Sequence, residues 1–193
     1  MDGRKIPRNL ENPFDNAFID VAIFLNRKLF KPLKFITPNV ITTLSLSIGL
    51  LSLYAFHKEA YLTFILFFLI SYLLDCADGN FARQYGQVTR FGDFYDHISD
   101  MIKLAGLLIL MVYSSIGSRS QKIVFFIGIA IFGLLANIHL GCQELLYETS
   151  SESEFLDLAT SKLCPGKQWI HVTRYFGVGT LQLFIVFYVL WLI

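Results

Sequence analysis

Five long apolar segments, separated by short polar stretches, constrain the fold of this chain more than any other feature. They cover about residues 39–56, 61–74, 92–113, 123–146 and 176–193. Each approaches the ~20 residues that an α-helix needs to cross the hydrocarbon core of a bilayer. The chain is 54% hydrophobic and 16% charged, with a mean hydropathy of +0.55, which is too apolar for an ordinary soluble domain. The sequence therefore predicts an all-α integral membrane protein, a bundle of about five to six transmembrane helices.

The polar stretch before the last apolar segment decides between five and six spans. A sixth span would have to place residues 148–168 in the membrane. The acidic residues of this stretch argue against that placement: Glu148, Glu152, Glu154 and Asp157. We therefore expect a polar loop, with a short helix at about 154–163 that ends at Pro165 and Gly166.

A basic amphipathic segment precedes the first apolar segment. Between residues 18 and 35, Leu25, Leu29 and Leu33 stand four apart on one side of a predicted helix. The other side carries Arg27, Lys28, Lys31 and Lys34, and Pro32 would break or kink the helix. A soluble helix can show this pattern, but a membrane span follows almost at once, so we favour an interfacial amphipathic helix over anionic lipid. The predicted division is 1–37, a cytoplasmic tail with this helix, and 38–193, the transmembrane domain.

The Lys and Arg residues predict the orientation of the bundle. With the N-terminus inside, most cations fall on the inner side, and only Lys58, Arg119 and Lys122 fall outside. Because Lys and Arg accumulate on the cytoplasmic side, we expect the turn at 84–91 to lie at the cytoplasmic face. The pattern does not distinguish an ER-type membrane from a bacterial inner membrane.

The cysteines are three: Cys76, Cys142 and Cys164. An odd count, with Cys76 inside an apolar segment, argues against a disulfide framework.

Eight residues at the ends of two apolar segments form one spaced pattern: Asp75, Asp78, Gly79, Ala82, Arg83, Gly92, Asp96 and Asp100. The first five share a helix face, and the last three recur every fourth residue on the next helix. A turn of about eight residues would bring the two faces together at one membrane surface. Charged side chains in membrane segments indicate functional sites, and carboxylates with no matching cluster of cations indicate a divalent metal.

Each residue type in this pattern suits phosphoryl transfer. The carboxylates could hold one or two hard cations, and two such ions ~3.5–4 Å apart can clamp the entering and leaving oxygens. Gly79 and Ala82 lack bulk, so a diphosphate could approach the backbone, and Arg83 offers a fork of donors for phosphate. Asp100 could accept the proton of an attacking hydroxyl, and His97 is a second candidate for that role.

The spacing D-x2-D-G-x2-A-R-x8-G-x3-D-x3-D resembles the signature of the CDP-alcohol phosphotransferases, also called CDP-alcohol phosphatidyltransferases. These membrane enzymes of phospholipid synthesis displace CMP from a CDP-linked donor with an alcohol hydroxyl. The resemblance covers about residues 36–147 and implies two Mg²⁺ or Mn²⁺ ions on Asp75, Asp78, Asp96 and Asp100, with Asp100 as general base. It implies contacts to the CDP part from Asn39, Gly79, Ala82, Arg83, Thr89 and Gly92. It also implies a lipid or alcohol acceptor, contact with membrane lipids, six spans and a homodimer.

Short stretches of sequence indicate which alcohol the enzyme uses. The stretch TPNVITTLSLSIGL and the pair Asp96-His97 resemble the choline/ethanolamine branch, whereas Thr89-Arg90-Phe91-Gly92 resembles inositol-type enzymes. Many glycerophosphate and inositol enzymes carry an Arg seven residues after the proline of this stretch, where this chain has Ser45. We therefore favour an aminoalcohol phosphotransferase. The alternative is a phosphatidylinositol- or phosphatidylglycerophosphate-type synthase that uses CDP-diacylglycerol.

Functions of other classes stay open from the residues alone. A cation transporter would explain the carboxylates but not the small residues and Arg83, and a silent membrane scaffold would not require every ligand. No surface for nucleic acid is indicated. Lys103 either neutralises the site or contacts a phosphate, or it pairs with Asp100 structurally. His139 and Gln143, four apart, either line an acceptor pocket or hold spans together.

Overall fold

A computed structural model describes residues 2–147 and 162–193 of the chain, and these residues form helices and turns without a strand. The helices are α1 (Pro13–Leu25), continued by a π-helical turn (Asn26–Phe30), α2 (Pro38–His57), α3 (Tyr61–Gln84), α4 (Arg90–Tyr113), α5 (Arg119–Tyr147), α6 (Ile170–Thr173) and α7 (Val178–Leu192). Short 3-10 turns, Lys167–Trp169 and Arg174–Phe176, flank α6.

Four helical segments are long and apolar enough to cross a membrane: Pro38–His57, Tyr61–Gln84, Arg119–Leu146 and Lys167–Leu192. They confirm the all-α membrane bundle and four of the five predicted spans. The fifth, α4, has 24 residues, but four charged residues lie within its stretch 93–103: Asp93, Asp96, Asp100 and Lys103. The described ranges therefore hold four such segments where the sequence predicted five to six. The loop predicted at 148–168 and its short helix lie largely outside the described residues.

Packing centres on α2, which lies against both α3 and α4, while α1 packs on α3 and α5 packs on α7. One core cluster includes Phe56, Phe64, Leu107, Phe125 and Ile185. A second, which joins α1 to the start of α2 and the last turns of α3, includes Ala22, Phe30, Ile41, Ala77 and Phe81.

The amphipathic helix begins earlier and ends earlier than the predicted range of 18–35. Asn12 caps α1 by accepting hydrogen bonds from the backbone N–H groups of its first turn, and the helical run ends at Phe30, just before Pro32. Its buried face is formed by Ala22, Asn26 and Phe30, whereas Leu29 and Leu33 stay exposed. The helix thus packs through the side that carries Ala22 and Asn26, with Leu25 partly buried against the second core cluster, and it leaves Leu29 and Leu33 outward.

The bundle has two distinct ends. At one end the loops around 58–60 and 114–118 meet, where Ser115 Oγ donates to Glu59 Oε1 at 2.5 Å. At the other end, residues 2–9 cross the last turns of α3, where Asn80 Nδ2 donates to the carbonyl oxygen of Asp2 at 2.8 Å. We call the second, which also holds the turn between α3 and α4, the site end.

A disulfide joins Cys142 and Cys164, which contradicts the expectation from the odd cysteine count. Their Cα atoms lie 5.1 Å apart, and both side chains are buried beside Ile6 and Ile170. Cys76 is free. The expectation was wrong because the pairing depends on how the end of α5 returns to the segment before α6, which cysteine spacing does not encode.

Candidate active site

The turn between α3 and α4 brings the two predicted acidic faces to one end of the bundle. The backbone N–H of Gln87 donates to the carbonyl oxygen of Ala82 at 2.8 Å and closes α3. Thr89 then begins α4, because its Oγ1 accepts the N–H of Gly92 at 3.0 Å and satisfies a donor left open at the helix N-terminus.

Three of the four predicted metal ligands come together. Asp75 of α3 and Asp96 and Asp100 of α4 each offer a carboxylate oxygen, and these atoms lie within 4.8 Å of one another. Like charges this close repel, so the cluster needs a cation.

Lys103 supplies one positive charge to this cluster. Its Nζ donates to Asp75 Oδ1 and lies at the same distance, 2.8 Å, from Asp100 Oδ1. It also donates to Ser45 Oγ at 3.2 Å. A Cβ at Gly49 would lie 2.7 Å from Lys103 Cδ, so the glycine makes room for the lysine stem. Of the two roles that the sequence left open for Lys103, the structure shows the pairing, and with two carboxylates rather than one.

Asp78 lies outside this trio but remains a candidate ligand. Its side chain is 3% exposed, and its Oδ2 has no hydrogen-bond partner among the described residues. Asp96 Oδ1 is likewise buried and unpartnered within the described ranges. Buried carboxylate oxygens without a donor are costly unless a cation binds them. An all-oxygen donor set with such atoms fits a hard divalent ion.

The predicted diphosphate contacts lie on α3, one to two turns beyond Asp75. Arg83 curls over Gly79, since a Cβ there would lie 3.2 Å from Arg83 Nη1. Arg83 Nε donates to the carbonyl oxygen of Gly3 at 2.8 Å. Ala82 is partly buried beside them. The arginine fork therefore lies on the same helix as Asp75 and next to the residue without a side chain.

Asn39, Thr89 and Gly92 meet where α2 and α4 begin. A Cβ at Gly92 would lie 3.0 Å from Thr89 Oγ1 and 3.1 Å from Asn39 Oδ1. The glycine thus allows the two helix starts to approach each other, and the three predicted nucleotide contacts share one surface.

His97 is exposed and turned toward its own helix. Its Nδ1 lies 2.8 Å from the carbonyl oxygen of Asp93 and 3.7 Å from Asp93 Oδ1. It is not a member of the carboxylate trio, and its role as a base stays a prediction.

His139 and Gln143 belong to a buried polar network that joins α5 to the N-terminal segment. Gln143 Nε2 donates to Glu11 Oε1 at 2.9 Å and lies 3.0 Å from His139 Nε2. His139 Nδ1 lies 3.2 Å from Thr173 Oγ1. These contacts favour the second of the two predicted roles, that of holding segments together.

The sequence reasoning missed Asp15, which extends this network toward α3. Tyr72 OH donates to Asp15 Oδ1 at 2.5 Å, and a Cβ at Gly179 would lie 1.9 Å from that oxygen. Burial raises the pKa of Asp15 to about 6, although the hydrogen bond from Tyr72 acts in the opposite direction. A single Asp in an amphipathic helix gives no sequence signal for this burial, because the contact spans 57 residues.

Comparison with known proteins identifies relatives. The family model of CDP-alcohol phosphatidyltransferase matches residues 35–149, more than half of the chain. The archaetidylinositol phosphate synthase of Pyrococcus horikoshii is 34% identical over 73 residues, which are 38% of this chain and 39% of that protein. The match thus spans well under half of that relative. No solved structure matches the chain.

Proposed function

Because the chain belongs to the CDP-alcohol phosphatidyltransferase family, we propose that it transfers a substituted phosphate group from a CDP-linked donor to an alcohol hydroxyl, with release of CMP. The observation that carries the proposal is the convergence of Asp75, Asp96 and Asp100 within 4.8 Å. Gly79 and Arg83 continue from Asp75 along α3 and suit a diphosphate beside the carboxylates. This arrangement favours the transferase over a cation transporter, which would not use the arginine and the small residues.

We propose that two Mg²⁺ or Mn²⁺ ions bind at this site. Asp75, Asp96 and Asp100 would hold them, with the unpartnered oxygen of Asp78 as a fourth contribution. When bound, such ions neutralise the diphosphate and polarise the phosphoryl group that is transferred.

Asp100 is the proposed general base. Its side chain is 52% exposed, so an acceptor hydroxyl can reach it, and Lys103 sets a positive charge 2.8 Å from its Oδ1. The hydroxyl proton passes to the carboxylate, the alcohol oxygen forms a bond to phosphorus, and the bond from phosphorus to the CMP oxygen breaks. CMP leaves with that electron pair. His97 is the second candidate base, and Nε2 would be its reacting atom because Nδ1 faces the Asp93 carbonyl.

A cavity of about 140 Å³ adjoins Asp100 inside the bundle. Its lining comes from α2, α3, α4 and α7 and includes Tyr72, Asp100, Lys103, Leu107, Leu181 and Gln182. The lining is mainly apolar away from Asp100 and Lys103, which suits the lipid part of a substrate next to the carboxylates.

Two observations bear on the substrate branch. The named relative is an archaetidylinositol phosphate synthase, which favours a synthase that joins a CDP-linked lipid to a polar alcohol. Ser45, where many inositol and glycerophosphate enzymes carry Arg, is fully buried, and its Oγ donates to the Ser71 carbonyl at 2.9 Å. The serine in place of an arginine, rather than its environment, is the cue that favours the choline/ethanolamine branch. We rank the CDP-linked lipid donor first, because the similarity of 73 residues is broader than one position.

The four apolar segments and the family together indicate a membrane protein. We propose that the site end faces the cytoplasm, because most Lys and Arg residues lie there. The Cys142–Cys164 disulfide lies at the same end of the bundle. Disulfides are rare in a reducing compartment such as the cytoplasm, so this disulfide argues against the proposed orientation. Labelling of single-cysteine variants from either side of sealed vesicles tests this orientation. Pairing into a homodimer stays a prediction.

The reaction is tested by CMP release from purified protein in mixed micelles with Mg²⁺. CDP-diacylglycerol with inositol, inositol phosphate, serine or glycerol phosphate is compared with CDP-choline or CDP-ethanolamine plus diacylglycerol. Asp100→Asn should lower the rate about 10²–10⁴-fold, the usual contribution of a general base. The matched control is Asp93→Asn, an acid on the same helix outside the trio. Full activity of Asp100→Asn, or no release with any pair of substrates, would contradict the proposal.

A further inference from the structure

Residues 2–9, which we call the N-terminal strap, cross the end of α3 that carries the proposed diphosphate contacts. Asn80 Nδ2 donates to the carbonyl oxygen of Asp2, and Arg83 Nε donates to the carbonyl oxygen of Gly3, both at 2.8 Å. The contacts span 78 and 80 residues of sequence. The strap lies outside the residues 35–149 that match the family model, so it is a feature of this chain rather than of the matched region.

The strap is held on both sides of α3. Lys5 forms an ion pair with Glu144 of α5, and Arg8 forms one with Asp20 of α1 at 2.7 Å. Ile6 is 4% exposed and packs beside the disulfide. These anchors fix the backbone position of the residues between them and α3.

Gly3 allows the strap to approach α3 closely. Its φ is +77°, in the region that favours glycine, and a Cβ there would lie 2.4 Å from the carbonyl oxygen of Asn80. Any side chain at this position would push the strap off the helix and withdraw the carbonyl group from Arg83.

The hydrogen bond from Arg83 Nε to the Gly3 carbonyl fixes the orientation of the Arg83 guanidinium group. A guanidinium group is planar, with its N–H donors in a rigid fork, so an acceptor at Nε defines the plane in which both Nη atoms lie. The Nη atoms lie over Gly79, where a Cβ would be 3.2 Å and 3.5 Å from them. The strap therefore orients the arginine toward the bare part of α3.

We propose that the N-terminal strap is part of the donor-binding site: the Gly3 carbonyl holds the Arg83 guanidinium in the plane that binds the diphosphate of the CDP-linked donor. This inference rests on the proposed function. Gly3 is thus a positioning residue that acts through Arg83.

The first test is the kinetics of Gly3→Ala. The KM for the CDP-linked donor should rise about tenfold, in line with the loss of one charge-assisted hydrogen bond, while the KM for the acceptor and kcat change less than about twofold. The control is Gly117→Ala, which also replaces a glycine of positive φ (+71°), but in the loop at the opposite end. Equal effects in the two variants, or an effect on the acceptor KM alone, would overturn the inference.

A double-mutant cycle separates positioning from general disruption. A lysine at 83 keeps a positive charge but has no Nε–H for the Gly3 carbonyl. Adding Gly3→Ala to Arg83→Lys should therefore raise the donor KM by less than about twofold. Independent effects of the two substitutions would show that the strap does not act through Arg83. If Gly3→Ala does not fold, Lys5→Met takes its place, because it removes the ion pair with Glu144 without adding bulk at Gly3.

The thermal shift produced by CDP with Mg²⁺ distinguishes the failure of this inference from failure of the proposed reaction. CDP should raise the melting temperature of the wild type and of Gly117→Ala, and should raise that of Gly3→Ala much less. This outcome supports the strap even if no substrate pair releases CMP. Equal shifts in all three proteins, or no shift in any, would overturn the strap inference whatever the activity.

Discussion

Replacing Lys103 by methionine tests whether the carboxylate cluster depends on cations for its stability. Methionine keeps most of the length of the lysine stem and removes the charge that bridges Asp75 and Asp100. Without metal, the variant leaves Asp75, Asp96 and Asp100 close together with no positive charge among them. A divalent ion should replace the missing charge, so the loss of stability should depend on metal.

The contacts of Lys103 determine how much stability the Lys103→Met variant should lose. The pair with Asp75 is buried, with side-chain exposures of 15% and 17%, and removing one partner of a buried pair costs about 3–5 kcal/mol. The pair with Asp100 is half-exposed, with the Asp100 side chain at 52%, so solvent screening limits its contribution to about 1 kcal/mol or less. We expect a loss of about 3–6 kcal/mol in the metal-free protein, or a fall of roughly 6–24 °C in melting temperature.

The assay compares melting temperatures in EDTA and in saturating Mg²⁺. The Mg²⁺-induced rise should be larger in Lys103→Met than in the wild type, because the ion no longer competes with the lysine. Lys122→Met is the control, since Lys122 donates to the carbonyl oxygen of Ser114 at the opposite end and has no carboxylate partner in the described ranges. The reasoning is refuted if Lys103→Met melts with the wild type in EDTA, or if Mg²⁺ shifts both proteins equally.

Three further outcomes are expected. The pKa of Asp15 is raised from 3.8 to about 6 in the folded protein, so the folded state binds a proton more tightly than the unfolded state. About 3 kcal/mol of stability should therefore be lost as the pH rises from about 4 to about 6. Asp15→Asn should remove that loss in melting curves at about pH 4.5 and about pH 7.5. Reduction of Cys142–Cys164 should cost about 3 kcal/mol, and the double serine variant should melt independently of reductant. Gly92→Val should raise the donor KM more than the acceptor KM, because its side chain would enter the contact between Asn39 and Thr89; equal changes would contradict this role.

The sequence alone predicted the helical membrane bundle and the chemistry of its site. Apolar runs of bilayer length must fold as helices, because a bilayer offers no water to satisfy the backbone N–H and C=O groups. Spacings of three and four place side chains on one face of a helix whatever the rest of the fold does, so the acidic and small residues at 75–83 and 92–100 were predictable locally. The spaced motif indicated the family for the same reason, because its positions are defined by local spacing along the chain.

Only the tertiary structure decided which of these residues meet. Lys103 reaches Asp75 across 28 residues and Arg83 reaches Gly3 across 80, and no local pattern encodes such contacts. The exclusion of Asp78 from the trio and the pairing of Cys142 with Cys164 likewise depend on how helices and returning segments pack. Packing is set by side-chain fit between elements far apart in sequence, whereas helix periodicity is set within each element. The candidate ligands were therefore readable from the chain, and their partners were not.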